Sequence, residues 1–132
     1  MIDLKHKLYY LASPYTTLYP DLPWDMEKVI EFRYQNTLTF GHILVEAGYH
    51  FVSPILHFHI MAHTWDFPKD FSFWEGMDKT LIEHCNGVIV YCDEHWKDSG
   101  GVAREIEYAE SLGKPILYRN ILLEEVNPNG PN

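Results

Sequence analysis

The run Gly87-Val-Ile-Val-Tyr-Cys92 constrains the fold more than any other stretch of this chain. It is continuous, apolar and β-branched, and Asn86-Gly87 bounds its start. A strand with one wet face would alternate apolar and polar residues, so this one is expected to be covered on both sides. Three further short runs read as strands: "KLYYLAS" from residue 7, "YHFVSPI" from 49 and "KPILYR" from 114. Between them the apolar residues recur at helical spacing. Val29, Ile30, Thr37, Phe40 and Leu44 predict a helix from Met26 to about Ala47, with Asp25 as N-cap and Gly48 as the stop. Trp74, Met77, Leu81, Ile82 and Cys85 predict a second over about 71–84. Val102, Ile106, Ala109 and Leu112 predict a third over 100–112. The histidine-rich segment "LHFHIMAHTWDFPKD" reads as irregular.

The resulting order, β-α-β-α-β-α-β, predicts an α/β fold: a small, doubly wound, mostly parallel sheet with helices on both faces, flavodoxin- or Rossmann-like. A chain of 132 residues fits one domain, taken as 1–120, with a polar tail over 121–132 expected to fray. Ligands of such sheets bind beyond the carboxyl ends of the strands, near the point where strand order reverses. Loops 13–24, 53–70 and 93–100 fall there.

Ten Lys and Arg against 19 Asp and Glu leave a formal charge of −9, with no basic cluster. A nucleic acid polymer is therefore excluded as partner, while a mononucleotide, which needs only a few donors, is not. Cys85 and Cys92 lack metal or redox spacing and fit a reducing compartment. No segment is long and apolar enough for a bilayer or a leader, so the expected location is cytoplasmic, without a membrane partner.

Several residues contradict the faces on which they lie. Glu105 sits inside the stripe of Val102, Ile106 and Ala109, and Asp78 lies four residues after Trp74 and four before Ile82. Buried carboxylates are costly unless paired, and burial raises their pKa. Two of them in unlike environments suit general acid–base or glycosyl chemistry; a structural salt bridge or loop cap is the plainer alternative. Arg33 falls among Val29, Ile30, Thr37 and Phe40, as an inward ion-pair partner or a phosphate ligand. Ser99 with Gly100 and Gly101 makes a helix cap whose bare amides suit an anion or a sugar hydroxyl. His57, His59 and His63 suit a zinc site, a pocket for an aromatic base or a pH-sensitive lid.

Taken together, "LYYLAS", "WEGMDKTLIEHCNGVIVYC" and "SGGVAREIEYAESLGKPI" resemble the nucleoside 2-deoxyribosyltransferase-like superfamily, which includes 2'-deoxynucleoside 5'-monophosphate N-glycosidases. The resemblance spans roughly Leu8 to Tyr118. It implies a cofactor-free enzyme, working as a homodimer or higher homo-oligomer, that cleaves the N-glycosidic bond of a nucleoside or nucleotide. It assigns the nucleophile to Glu105, the acid/base to Asp78, the active-site tyrosine to Tyr9 and sugar contact to Ser99. The first loop, "SPYTTLYPDLP", departs from the Ser/Gly/Arg-rich loop of the monophosphate hydrolases, leaving Ser13, Thr16, Thr17 or Arg33 to hold a phosphate. Two alternatives remain: a nucleotide sensor without turnover on the same fold, and a metal-dependent hydrolase using His57, His59 and His63.

Overall fold

The computed structural model describes residues 6–130, so the first five residues of the expected domain and the last two of the expected tail lie outside the described residues. Four parallel strands form one sheet in the order β2-β1-β3-β4. They are β1 (Leu8–Ala12), β2 (His50–Val52), β3 (Gly87–Tyr91) and β4 (Ile116–Arg119). The helices are α1 (Met26–Glu46), α2 (Pro54–Thr64), α3 (Phe71–His84) and α4 (Gly100–Ser111), with a single 3-10 turn over Trp96–Asp98. The expected α/β class and parallel sheet are therefore those of the molecule.

Two central strands, β1 and β3, explain the continuous apolar run. Every residue of β3 is buried, and its side chains divide by the two-residue period of a strand. Ile89 and Tyr91 join Tyr9, Leu11, Phe40 and Leu44 on the α1 face. Val88 and Val90 join Tyr10, Ala12, Ile82, Val102 and Ala109 on the face covered by α3 and α4. The chain leaves β1 toward β2 and then crosses back to β3, so the order reverses between the two central strands. A crevice at their carboxyl ends follows from that reversal.

Helix boundaries follow their caps. Asp25 accepts from the Lys28 amide at 2.9 Å, and Gly48 takes φ +90° just after the Ala47 cap. The segment from Ser53 is a correction: it forms α2 rather than an irregular loop. Ser53 accepts the Leu56 amide at 3.2 Å and Pro54 occupies the first turn, a start signal that outweighs the histidine-rich composition. Consequently β2 is only three residues long. The tail is a second correction. Instead of fraying, it returns to β4 through Val126 N to Tyr118 O (3.0 Å) and an antiparallel bridge between Arg119 and Glu125. Among the described residues no helix is long and apolar enough to cross a membrane.

Gly87 marks the tightest backbone approach. A Cβ there would lie 2.9 Å from the Pro115 carbonyl oxygen and 3.1 Å from the Tyr9 ring. The carbonyl belongs to the segment entering β4 and cannot swing aside. Gly87→Ala is expected to destabilise the fold by about 1–3 kcal/mol, read as a lower urea midpoint; an unchanged midpoint contradicts this packing.

Candidate active site

A cleft of about 310 Å³ opens beyond the carboxyl ends of β1 and β3, at the lower end of ligand-pocket sizes, roughly 300–1,000 Å³. Its aromatic walls come from Tyr10, Tyr15, Phe58, Phe71 and Trp74. Asp78 and Glu105 lie on the shared wall between this cleft and a smaller one of about 230 Å³ between α3 and α4. The pair therefore borders two openings.

Helical phase brings the two acids together. Asp78 is buried at 7% exposure, whereas its apolar neighbour Met77 is 44% exposed. α3 has thus turned its carboxylate inward and a methionine to solvent, the reverse of what hydropathy favours. Glu105 projects from α4 at the same level, half-buried, and accepts a hydrogen bond from the Tyr10 hydroxyl. Asp78 faces both groups, and its Oδ1 is buried without a hydrogen-bond partner among the described residues.

Proton affinities follow from this geometry. Burial pushes the Glu105 carboxyl well above its usual range, and the nearby Asp78 charge pushes it further. The Tyr10 bond acts the other way but is the weaker influence. Asp78 is raised to about 6, mainly by burial. Tyr10 is raised well above 10 by burial and by both acids, so it remains a phenol able to donate. Both carboxyls are raised, each by burial first, and they face one another in unlike surroundings, the arrangement that lets one act as acid and the other as base or nucleophile.

The other expected site residues divide. Ser13, Ser99, Gly100, Gly101 and His59 line the main cleft with Asp78 and Glu105. Ser13 is held by the Thr37 hydroxyl at 3.1 Å, and Ser99 caps α4 by accepting the Val102 amide at 3.1 Å. A Cβ on Gly100 or Gly101 would meet nothing closer than 3.6 or 3.9 Å. Packing within the chain demands neither glycine, and their bareness leaves the helix start open to the cleft.

Two expectations are corrected, and the histidine alternative finds no cluster. Tyr9 lies on the α1 face, edge-on to Tyr49 at 6.0 Å, while Tyr10 occupies the site; one step along a strand reverses the face. Arg33 is fully buried but lines neither cleft. Its guanidinium donates to Thr17 O (2.9 Å), Glu94 O (2.6 Å) and Asp93 Oδ2 (3.2 Å), and it lies over the Tyr19 ring at 4.0 Å. Thr17, whose backbone carbonyl is one of its acceptors, likewise lines neither cleft, which leaves Ser13 and Thr16 of the four proposed phosphate contacts in the cleft. Among the described residues no three His, Cys, Asp or Glu side chains converge for a metal. His57 and His63 are exposed, and His59 has both ring nitrogens hydrogen-bonded within the chain.

Sequence reasoning missed Tyr10, Tyr15, Lys69 and Arg104. The last two supply the cleft's positive charge; Arg104 lies over the Phe71 ring at 4.6 Å. Only Tyr10 carried a usable signal, because period-two alternation assigns it to the opposite face from Tyr9.

The family model described as "Domain of unknown function (DUF1937)" matches residues 7–120, and the chain belongs to that family. The matched span contains every strand and helix of the described residues and all the residues of the cleft. No curated protein matches the chain.

Raised carboxyl pKa values carry a sign for stability. Asp78 and Glu105 hold protons in the folded state over a range where the unfolded chain has released them, so stability falls as pH rises from the ordinary carboxylate range through about 6 and beyond. Glu105→Gln removes one of the two charges. Its Tm is expected to exceed wild type by an amount that grows from pH 5 to pH 8, reaching roughly 5 °C. Parallel Tm curves for the two proteins across that window contradict a desolvated pair.

Proposed function

We propose that this DUF1937 chain is an N-glycosidase or deoxyribosyltransferase-like enzyme acting on a nucleoside or its 5'-monophosphate. The observation that carries the reading is the adjacency of Asp78 and Glu105, desolvated on neighbouring helices, with the Tyr10 hydroxyl donating to Glu105. The resemblance to nucleoside 2-deoxyribosyltransferases supports it independently, because it assigns the two chemical roles to the same two residues.

In this reading, with Glu105 ionised by the Tyr10 donor and the proton held on Asp78 when substrate is bound, a Glu105 oxygen attacks the anomeric carbon while the bond to the base nitrogen breaks. The bonding pair leaves with the base, which takes a proton from Asp78. A glycosyl ester forms on Glu105, and water or a second base then attacks the same carbon, returning a proton to Asp78 and freeing the carboxylate. The Tyr10 donor stabilises negative charge on Glu105 before attack and on its release. Phe58, Phe71 and Trp74 supply faces for a planar base. Lys69, Arg104 and the α4 amides supply the positive side of the cleft, which suits a 5'-phosphate.

A nucleotide sensor without turnover is favoured by one feature, the desolvated setting of Glu105, which disfavours the carboxylate form that a nucleophile needs. The two readings separate in an assay of free base released from a panel of deoxynucleosides and their monophosphates. Glycosidase activity predicts release by wild type and a loss of about 10²–10⁴-fold in Asp78→Asn, with at least as large a loss in Glu105→Ala. Tyr10→Phe is expected to lose about 10-fold or more while Tyr9→Phe stays near wild type, in line with the loss of one charge-stabilising donor. Full release by either carboxyl variant refutes the glycosidase reading. Tight binding with no release selects the sensor.

A further inference from the structure

The main cleft contains a second polar assembly, separate from the carboxyl pair. His59, on α2 and 4% exposed, makes contacts with both ring nitrogens. Nε2 lies 3.1 Å from Glu31 Oε2 of α1, and Nδ1 lies 2.6 Å from the hydroxyl of Tyr15 in the loop after β1. The Tyr34 ring stacks on the imidazole at 3.8 Å and 17°, and the Tyr15 ring meets it edge-on. Both His59 and Tyr15 line the cleft.

The tautomer follows from what each partner can do. A carboxylate only accepts, so Nε2 carries the ring proton and donates it to Glu31. In the neutral ring Nδ1 is then a lone pair, and the Tyr15 hydroxyl must be the donor there. Its single proton is committed, so acceptance is the only capacity the phenol has left for a ligand. Burial lowers the His59 pKa, which favours the neutral ring, while the hydrogen bond to Glu31 acts the other way. Burial raises Tyr15, so it stays a phenol rather than a base.

We propose that Tyr15 is a specificity-determining residue whose phenolic oxygen accepts a hydrogen bond from an N–H or O–H of the ligand, with His59 and Glu31 as the positioning residues that fix this polarity. A pocket acceptor of this kind discriminates against ligands lacking the donor, because a buried acceptor is then left unpaired. The groups facing His59 are Tyr15 from the first loop, Glu31 and Tyr34 from α1, His63 from α2 and Lys69 ahead of α3. When acid protonates His59, Nδ1 becomes a donor to Tyr15. The phenol proton is then released toward the cleft, and the acceptor becomes a donor.

The inference rests on the nucleoside reading for its probes. Calorimetric binding to the turnover-deficient Glu105→Gln protein compares 2'-deoxyadenosine with three analogues. Purine 2'-deoxyriboside lacks the base N–H donor, and the 3'- and 5'-deoxy forms each lack one sugar O–H. One analogue is expected to bind at least about 10-fold more weakly than the parent. Adding Tyr15→Phe is expected to shrink that single gap to about 2-fold and leave the others; which gap shrinks identifies the donor as base or sugar. In the protein with Glu105 intact, His59→Gln is expected to raise KM with kcat unmoved, and ¹⁵N NMR of wild type to find the His59 proton on Nε2. A gap unchanged by Tyr15→Phe, or a proton on Nδ1, overturns the proposal. Selective binding without base release by wild type overturns the glycosidase reading alone, base release with Tyr15→Phe indifferent overturns this inference alone, and absence of binding by every probe overturns both.

Discussion

The buried guanidinium of Arg33 is the interaction on which the candidate site depends. A fully desolvated charge is costly unless it is paired and hydrogen-bonded, and here the partners come from two separate loops. Nε and one terminal nitrogen reach Thr17 O, after β1; the other terminal nitrogen reaches Asp93 and Glu94, after β3. Asn36, one turn on, donates to the same Asp93 carboxylate at 3.1 Å. The two loops flank the reversal of strand order, so one side chain ties both edges of the crevice to α1. An arginine within an apolar stripe admits a ligand role or a structural one, and the engagement of all three guanidinium nitrogens within the chain is what decides for the latter.

What was legible in the sequence was whatever obeyed a period. The continuous run in β3 implied a strand with two covered faces, and the misfit of Asp78 and Glu105 against helical spacing pointed to inward carboxylates. Phase errors account for the losses. Motif resemblance placed the tyrosine role at Tyr9, yet strand geometry gives Tyr9 and Tyr10 opposite faces, and only the packing identifies the α3–α4 side as the one bearing the acids. Composition misled at α2, where histidines and aromatics obscured the Ser53-Pro54 start. Lys69 and Arg104 were unreadable for another reason: their place in the cleft depends on how the segment ahead of α3 and the first turns of α4 meet, which no local pattern encodes.

The acids also reveal a tension between folding and chemistry. Asp78 occupies a position where Met77, its more apolar neighbour, would bury with less cost, and Glu105 interrupts a stripe otherwise made by Val102, Ile106 and Ala109. Among the described residues neither forms an ion pair; the groups that act on them are each other and Tyr10. A structural ion pair, the plainer reading of inward carboxylates, therefore does not describe them. Compensation comes from elsewhere in the sheet, where the fully buried Val88, Ile89 and Val90 and the stacked rings of Phe40 and Tyr91 add apolar burial without polar cost.

α1 divides that labour along its length. Its second half, with Phe40, Gly41 and Leu44, packs on the sheet and β2. Its first half extends past the strand ends and carries Glu31, Arg33, Asn36 and Thr37, each bonded to a residue of the site or its loops: His59, Thr17 and Asp93, Asp93 again, and Ser13. None of these α1 residues lines the main cleft, yet together they fix the positions of several that do. The same helix is thus a core element against β1 and a support for the pocket above it. The boundary lies where the strands end, at Ala12 and Tyr91, because beyond that line the apolar sheet is no longer available as a partner and polar groups must satisfy one another.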